Sequence, residues 1–259
     1  METFGSLDDF THRTDAAVSL GMFDGVHRAH QEVLRILTGK AHELQCKSVV
    51  ITFHPHPRTI LTGEKFPLIV SQEEKRRLLE AQQADIWCRL PFTPEFAALE
   101  PEELLELLDS RLHIRHIVLG YNHNFGKRKK GSIRTLAALQ ENYGFGLTEV
   151  PPLRSGNMEI SSSAIREALR KGDIRTASLL LGYDYFALPA GMVRAGKECL
   201  RVTVAADKLL PAPGFYDGHW DGTPVRIQIL DNEQMLVFSN GSFPEAEELL
   251  RHPLYWNSK

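Results

Sequence analysis

Two histidines stand three residues apart in the stretch GMFDGVHRAHQEVLRIL, residues 21–37, just before a segment whose apolar repeat predicts a helix. Gly21 and Gly25 allow the chain to turn ahead of that helix. Backbone N–H groups at a helix start bind anions. If the helix has begun, the rings of His27 and His30 share one side and can donate hydrogen bonds to phosphate oxygens. We therefore expect a nucleotide-phosphate site here.

Other interpretations of this stretch compete with a phosphate site. Histidines at this spacing also occur simply as surface residues. A zinc protease needs His-Glu-x-x-His and a phosphate-loop NTPase needs G-x-x-x-x-G-K-[ST], and neither motif occurs. Cys46, Cys88 and Cys199 are too far apart for a zinc ligand set or a disulfide framework. We expect no metal ligands from the protein.

Two further segments combine a strand with polar residues at its end. In VVITFHPHPRTIL we expect Pro55 and Pro57 to stiffen a loop that brings His56 and Arg58 near a ligand crevice. In IVLGYNHNFGKRKKGSIRTL a strand ends at Gly120, and the amide that follows at position 122 can donate and accept hydrogen bonds.

A basic run, Lys127 to Lys130, follows in the second of these segments. Such a run is either a solvated loop or a local funnel for phosphates.

A fourth segment, EISSSAIREALRKGDIRTASLLLG, places three serines at a predicted helix start and Arg166 on the next turn. Serine hydroxyls and free N–H groups can bind phosphate, and a guanidinium can form a bidentate pair of hydrogen bonds with it. Simple helix capping is the alternative. We expect Arg166 to be exposed, so that replacing it leaves the fold intact.

These segments resemble one family in the order in which they occur. GMFDGVHRAH resembles G-x-F-D-G-x-H-x-G-H of bacterial FAD synthetases, the adenylyltransferase module of bifunctional riboflavin kinase/FMN adenylyltransferases, with Ala29 for a glycine. The other segments resemble T-F-x-P-H-P (preceded here by His54, where many relatives have Glu), G-x-[DN]-x-x-F-G and I-S-S-[ST]-x-I-R. The resemblance implies AMP transfer from ATP to FMN, giving FAD and pyrophosphate, with Mg²⁺ accompanying ATP.

The resemblance also implies roles for individual residues. Catalytic roles fall to His27, His30, Asn122 and Arg166. Contacts with ATP fall to Gly21, Phe23, Asp24, Gly120, Ser161, Ser162, Ser163 and Arg166, and contacts with FMN fall to Pro55, His56, Pro57, Arg58, Asn122 and Phe125. Two alternatives stay open: a nucleotidyltransferase for another phosphorylated acceptor, and a flavin- or nucleotide-binding relative without catalysis.

Apolar runs of strand length alternate with helical periodicity up to about residue 184, and only strand-like runs follow. We therefore predict an α/β, doubly wound parallel sheet over 1–184 and a small antiparallel β-barrel over 185–259. The resemblance implies that the first of these is a Rossmann-like nucleotidyltransferase domain. The barrel lacks the Pro-Thr-Ala-Asn run of family riboflavin kinases. The resemblance thus predicts a reduced kinase-like domain without riboflavin kinase activity.

Composition narrows the partners. The 259 residues carry a formal net charge of −3, which disfavours a surface built for nucleic acid. The N-terminal METFGSLDDF does not resemble a signal peptide, and no apolar run has the length of a membrane span. We expect a cytoplasmic protein without nucleic-acid or membrane partners, and the family resemblance implies ATP and FMN as its small-molecule partners. The sequence indicates no oligomeric state.

Overall fold

The computed structural model describes residues 1–231, 233–241, 243 and 249–258, and only the backbone of Lys129. The chain forms two compact units. The first unit comprises Met1–Phe66 and Arg76–Leu153, and the second comprises Pro67–Lys75 and Arg154–Lys259. The predicted domains, 1–184 and 185–259, stay a prediction.

The first unit contains a six-stranded parallel sheet. Its strands are β1 (Glu2–Phe4), β2 (Thr14–Leu20), β3 (Lys47–His54), β4 (Ile86–Pro91), β5 (Leu112–Gly120) and β6 (Gly146–Val150), in the order β1-β4-β3-β2-β5-β6. The helices along this part of the chain are α1 (Arg28–Glu43), α2 (Pro57–Thr62), α3 (Gln72–Ala81), α4 (Pro94–Ala97), α5 (Pro101–Asp109) and α6 (Ile133–Tyr143). The predicted parallel α/β class is confirmed.

Both faces of this sheet are covered by helices. Alternate residues of a strand face opposite sides, so Val49 and Ile51 join one core cluster and Val50 joins the other. Leu34 of α1 packs in the cluster with Val50, while Leu104 of α5 packs in the cluster with Val49. Because strands buried on both faces need continuous apolar runs, KSVVITF was recognisable as a strand.

The second unit is built around a seven-stranded antiparallel sheet that curls into a half-barrel. Its strands are β9 (Phe186–Ala187), β10 (Gly191–Gly196), β11 (Cys199–Thr203), β12 (Gly214–Trp220), β13 (Thr223–Ile229), β14 (Gln234–Phe238) and β15 (Leu254–Trp256), in the order β10-β11-β14-β13-β12-β15-β9. Before it come the hairpin β7 (Arg154–Ser155) and β8 (Met158–Glu159) and the helices α7 (Ser162–Arg170) and α8 (Ile174–Leu181). The predicted antiparallel architecture is confirmed.

The structure differs from the expected loop after β3. Pro57 is the first residue of α2 and not part of an irregular loop. Proline suits that position because its fixed φ matches a helix and the first N–H of a helix needs no intrahelical acceptor. Among the described residues, no helix has the length and apolar character required to cross a bilayer.

A buried ion pair fastens the second unit. Lys208 and Glu74 are 2% and 1% exposed, and Nζ of the lysine lies 2.7 Å from Oε2 of the glutamate. The ammonium also donates to the carbonyls of Ile69 and Phe186, each at 2.8 Å. The other carboxylate oxygen of Glu74 accepts the N–H of Leu188 at 2.7 Å. The ammonium and the carboxylate are thus paired by both charge and hydrogen bonds.

We expect Lys208→Met to lower the free energy of unfolding by about 3–5 kcal/mol, because it leaves the Glu74 carboxylate buried without its cation. Urea unfolding followed by circular dichroism measures the loss. Lys171→Met is the matched control, since its 3.0 Å pair with Glu167 is exposed and screened by solvent, so its loss should change stability little. Equal losses for both variants would contradict the importance of the buried pair.

Candidate active site

The order of the parallel strands defines where a ligand can bind. From β2 the chain adds β3 and β4 on one side, then crosses to the other side of β2 to add β5 and β6. The strand order therefore reverses between β2 and β5. Open parallel sheets bind ligands outside the carboxyl ends of the strands at this reversal, because the loops there diverge and leave a crevice. The segments 21–27 and 121–126 follow those two strands.

The loop after β2 has a strained and buried backbone. Phe23 and Val26 have φ angles of +46° and +36°, and Gly25 between them has +83°. Positive φ is rare for a β-branched residue and costs free energy. The loop is held by the N–H of Val26, which donates to the Phe23 carbonyl at 3.2 Å, and by Gln31 Nε2, which donates to the Val26 carbonyl at 2.9 Å. Asp24 is 3% exposed.

His27 and His30 come together at the start of α1, as their spacing suggested. His27 is the N-cap residue of the helix, and its Nδ1 accepts the backbone N–H of His30 at 3.4 Å. The two rings stack with centroids 3.6 Å apart and planes 15° apart. Phe23 lies against the His30 ring, with centroids 5.0 Å apart. Since Nδ1 accepts, a neutral His27 carries its proton on Nε2.

Burial lowers the pKa of His27 to about 4. This side chain is therefore neutral at pH 7 and can serve as a hydrogen-bond donor through Nε2. It is not a cation there.

The loop after β5 reaches the loop after β2. The N–H of His123 donates to the Gly120 carbonyl at 3.0 Å, so the chain turns back over the strand end. A Cβ placed on Gly21 would lie 3.3 Å from the Phe23 ring and 3.9 Å from Cε1 of His123. The glycine thus admits the two rings side by side. A Cβ placed on Gly120 would meet nothing within 4 Å.

His123 belongs to this cluster, although no sequence motif predicted a role for it. Its ring stacks on Phe125 with centroids 6.1 Å apart. The available clue was its place in the sequence between Asn122 and Phe125, which were both predicted to contact FMN. Asn122 itself is exposed, and its backbone carbonyl accepts Nδ2 of Asn124 at 2.9 Å.

Phe125 is fixed by the glycine that follows the basic run. Phe125 and Gly131 exchange two backbone hydrogen bonds, of 3.0 and 2.9 Å, and a Cβ on Gly131 would come within 2.6 Å of the phenyl ring. The ring packs against the core cluster that contains Leu104. Its predicted contact with FMN stays a prediction.

The basic run is partly neutralised. Nζ of Lys127 and Nζ of Lys130 lie 3.2 and 3.1 Å from the carboxylate of Glu100. The bonds from Lys130 and Lys127 hold the pKa of Glu100 below its usual range. The side chain of Lys129 lies outside the described part of the chain. Two of the four charges expected to attract phosphate therefore have an anionic partner.

The segment predicted to contact FMN, residues 55–58, follows β3, the neighbour of β2 in the sheet. His56 caps α2 by accepting the N–H of Arg58 on Nδ1 at 3.0 Å. The His56 ring and the Arg58 guanidinium both lie on Phe66, at 4.3 and 4.8 Å from its centroid. Pro55 is exposed before them. These residues lie at the same carboxyl edge of the sheet as the histidine pair.

The remaining predicted residues belong to the second unit. Ser161 is the N-cap of α7, with its Oγ accepting the Ala164 N–H at 3.3 Å, and Ser162 and Ser163 form the first turn. The expectation that Arg166 is exposed is wrong, because it is 5% exposed and its guanidinium donates to the Pro67 carbonyl. The reason is that Arg166 lies on the buried, apolar face of α7, where its guanidinium finds that carbonyl as a hydrogen-bond acceptor.

The donor set for a metal is sparse. Within the described ranges, no three His, Cys, Asp or Glu side chains group as a metal site. Asp24 is the carboxylate in the loop after β2. Mg²⁺ usually keeps several waters and binds through substrate phosphates plus one or two carboxylates.

The neutral state of buried His27 predicts a pH dependence of stability. Its pKa is about 4 in the fold and 6.5 ordinarily, so the unfolded chain binds the proton first and stability is lost as pH falls below 6.5. His27→Asn keeps a capping acceptor but cannot titrate. We expect the loss of unfolding free energy between pH 7 and pH 5, measured in urea, to shrink by roughly 2 kcal/mol in the variant.

His42→Asn is the matched control for this measurement, because His42 is exposed on the same helix. It should keep the pH dependence of the wild type. A His27→Asn protein that loses as much stability as the wild type would contradict a buried neutral His27.

Comparison with known proteins identifies the family. Residues 9–164 match the family model described as FAD synthetase. The bifunctional riboflavin kinase/FMN adenylyltransferase of Bacillus subtilis (strain 168) is 35% identical over 173 residues, 66% of this chain and 54% of the relative. The FAD synthetase of Listeria monocytogenes is 32% identical over 203 residues, 78% of this chain and 80% of that one.

A solved structure shares the fold. The crystal structure titled Macrolide-efflux Protein from Streptococcus pneumoniae superposes with a TM-score of 0.80 at 24% identity, covering 98% of this chain and 88% of that one. The chain spans about half the length of the Bacillus subtilis relative. Since the family model covers more than half of the chain, and its segments form the paired-histidine loop at the strand reversal, the chain belongs to the FAD synthetase family.

Proposed function

We propose that this chain is an FMN adenylyltransferase, which converts ATP and FMN into FAD and pyrophosphate. The observation that carries the proposal is the stacked pair of His27 and His30 at the N-terminus of α1, where the order of parallel strands reverses. Family membership supports the choice of substrates.

The reaction needs alignment more than covalent catalysis. A phosphate oxygen of FMN attacks the α-phosphorus of ATP, the new P–O bond joins FMN to AMP, and the bond to the bridging oxygen breaks to release pyrophosphate. Negative charge develops on the oxygens of the α- and β-phosphates. Fixed donors near those oxygens stabilise the transition state more than the ground state.

The residues of the loop after β2 match that need. Neutral His27 offers Nε2–H as a donor, and the stacked ring of His30 places a second imidazole beside it. The positive end of the α1 dipole adds to their effect on phosphate. The strained loop from Phe23 to Val26 holds the donors before substrate arrives, so little reorganisation is required.

Other residues are assigned to the substrates as part of the proposal. Gly21, Phe23, Asp24 and Gly120 contact ATP, Asn122 contacts both substrates, and Pro55, His56, Pro57, Arg58 and Phe125 contact FMN. The absence of a neighbour around a Cβ on Gly120 supports a close ligand approach there. Ser161, Ser162, Ser163 and Arg166 take the pyrophosphate. Mg²⁺ enters with ATP and offsets phosphate charge.

The proposal extends to the domains and the cellular setting. Residues 1–184 carry adenylyl transfer, and residues 185–259 form a reduced kinase-like domain. The protein acts in the cytoplasm on ATP and FMN, without nucleic acid or membrane partners.

The decisive experiment incubates the protein with ATP, Mg²⁺ and FMN, then separates the flavins by chromatography. We expect FAD and pyrophosphate in equal amounts. Riboflavin in place of FMN should give no FMN, because the Pro-Thr-Ala-Asn run is absent. Pyrophosphate release only with another phosphorylated acceptor would favour a different nucleotidyltransferase, and binding without product would favour the non-catalytic alternative.

His30→Ala should lower the rate of FAD formation by about 100-fold or more, because one donor to developing charge is typically worth about 2.7–4 kcal/mol. Initial rates at saturating substrates provide the measurement, and thermal unfolding verifies the fold. His42→Ala, on the exposed side of the same helix, is the control and should keep the wild-type rate. A fully active His30→Ala enzyme would show that His30 is a surface histidine without a role in catalysis.

Arg166 has a structural contact, so its test must separate folding from catalysis. Arg166→Ala should lower unfolding free energy by about 1–3 kcal/mol, because the Pro67 carbonyl loses its donor. Arg166→Lys keeps the charge without the planar fork and should raise KM for ATP or lower kcat at a temperature where it stays folded. Arg170→Lys, exposed on the same helix, is the control. Reduced stability with unchanged kinetics would refute the phosphate role.

A further inference from the structure

One buried polar atom of the candidate site, a histidine nitrogen, makes no hydrogen bond within the described part of the free protein. The Nε2 atom of His123 has less than 1 Å² of accessible surface and no hydrogen-bond partner among the described residues. The residue as a whole is partly exposed, whereas this nitrogen is buried. Burial lowers the pKa of His123 to about 4, so the ring is neutral at pH 7.

A buried nitrogen without a partner destabilises the free protein, and native structures contain few of them. A phenyl ring would fill the same place without that cost. Packing therefore accounts for an aromatic residue between Gly21 and Phe125, but it does not account for the histidine. A native protein that keeps such an orphaned polar group needs a reason for it, and a role in the function of the site is one such reason.

The position of His123 indicates what completes it. The residue lies three positions after the end of β5, and its ring reaches the first residue after β2. These two strands flank the reversal of strand order, where ligands of open parallel sheets bind. A neutral imidazole can form a hydrogen bond with an uncharged polar group such as a hydroxyl, a carbonyl or a heterocyclic nitrogen.

We propose that His123 is a specificity-determining residue of this site, whose ring turns to form a hydrogen bond through Nε2 with an uncharged group of the bound substrate. ATP and FMN both carry such groups, in the base and sugar of one and in the ring and side chain of the other. The identity of these two ligands rests on the proposed function.

Two variants separate the hydrogen bond from the shape of the ring. His123→Phe keeps an aromatic ring and removes the nitrogen, and His123→Gln keeps a polar group at similar reach. Equilibrium binding of ATP alone and of FMN alone is measured by calorimetry on the full chain. We expect His123→Phe to weaken one of the two ligands at least tenfold, and His123→Gln to recover most of that loss. The free His123→Phe protein should unfold at the same temperature as wild type or higher.

His116→Gln is the matched control, because His116 is a half-buried histidine of β5 whose Nε2 already pairs with Thr148 at 2.8 Å. It should bind both ligands as wild type does. A weaker affinity for ATP assigns the bond to the nucleotide, and a weaker affinity for FMN assigns it to the flavin.

If His123→Phe binds both ligands with wild-type affinity, the proposal is overturned. If this variant also unfolds at a lower temperature than the wild type, His123 has a structural role instead. A wild type that binds ligand without forming FAD overturns the function alone. One that binds neither ligand overturns both.

Discussion

The parallel pairing of β2 with β5 is the constraint on which the site depends. These strands are neighbours in space, but the chain builds β3 and β4 on the far side of β2 before it returns to form β5. The connections that follow them therefore diverge and cannot fill the space between them. The approach of His123 to Gly21 follows from that order. A sheet with strands in sequence order would bring no such pair of loops together.

Pairing of the strands alone does not shape the loop after β2. Positive φ at Phe23 and Val26 costs of order 1–3 kcal/mol each, and the surrounding packing offsets it. Both side chains are buried in the cluster that holds α1 against the sheet. Core formation and preorganisation of the site thus use the same side chains. His27 also links the two, because this buried residue of the loop caps the helix with Nδ1.

The sequence was sufficient where the determining pattern is local. Alternating apolar runs located β2, β3 and β5, and a helical repeat located α1. It was insufficient where a partner is remote. β1 has three residues and forms only because β4 pairs with it. Glu74 and Lys208 are 134 positions apart, so no local pattern indicates their pairing.

The same limit explains the candidate site. The spacing of His27 and His30 predicted rings on one side only if the helix had begun at His27, whereas His27 is its N-cap residue, and the two rings stack in that arrangement. The burial of Arg166 depends on a carbonyl 99 positions earlier, and the role of His123 depends on a strand order that no segment contains. Motifs therefore identified the loops, whereas the inward orientation of single side chains required the assembled chain.

The position of the short segment Pro67–Lys75 in the chain limits how the protein can recombine during evolution. It lies within the sequence of the first unit but belongs to the second, and it contains the glutamate that pairs with Lys208 and the carbonyl that Arg166 contacts. Recombination that exchanged everything after residue 153 would join this segment to a foreign partner. A buried carboxylate would then face a side chain with which it had never been selected. Residues 67–75 and 154–259 must therefore be inherited together, although 78 residues (76–153) separate them in the gene.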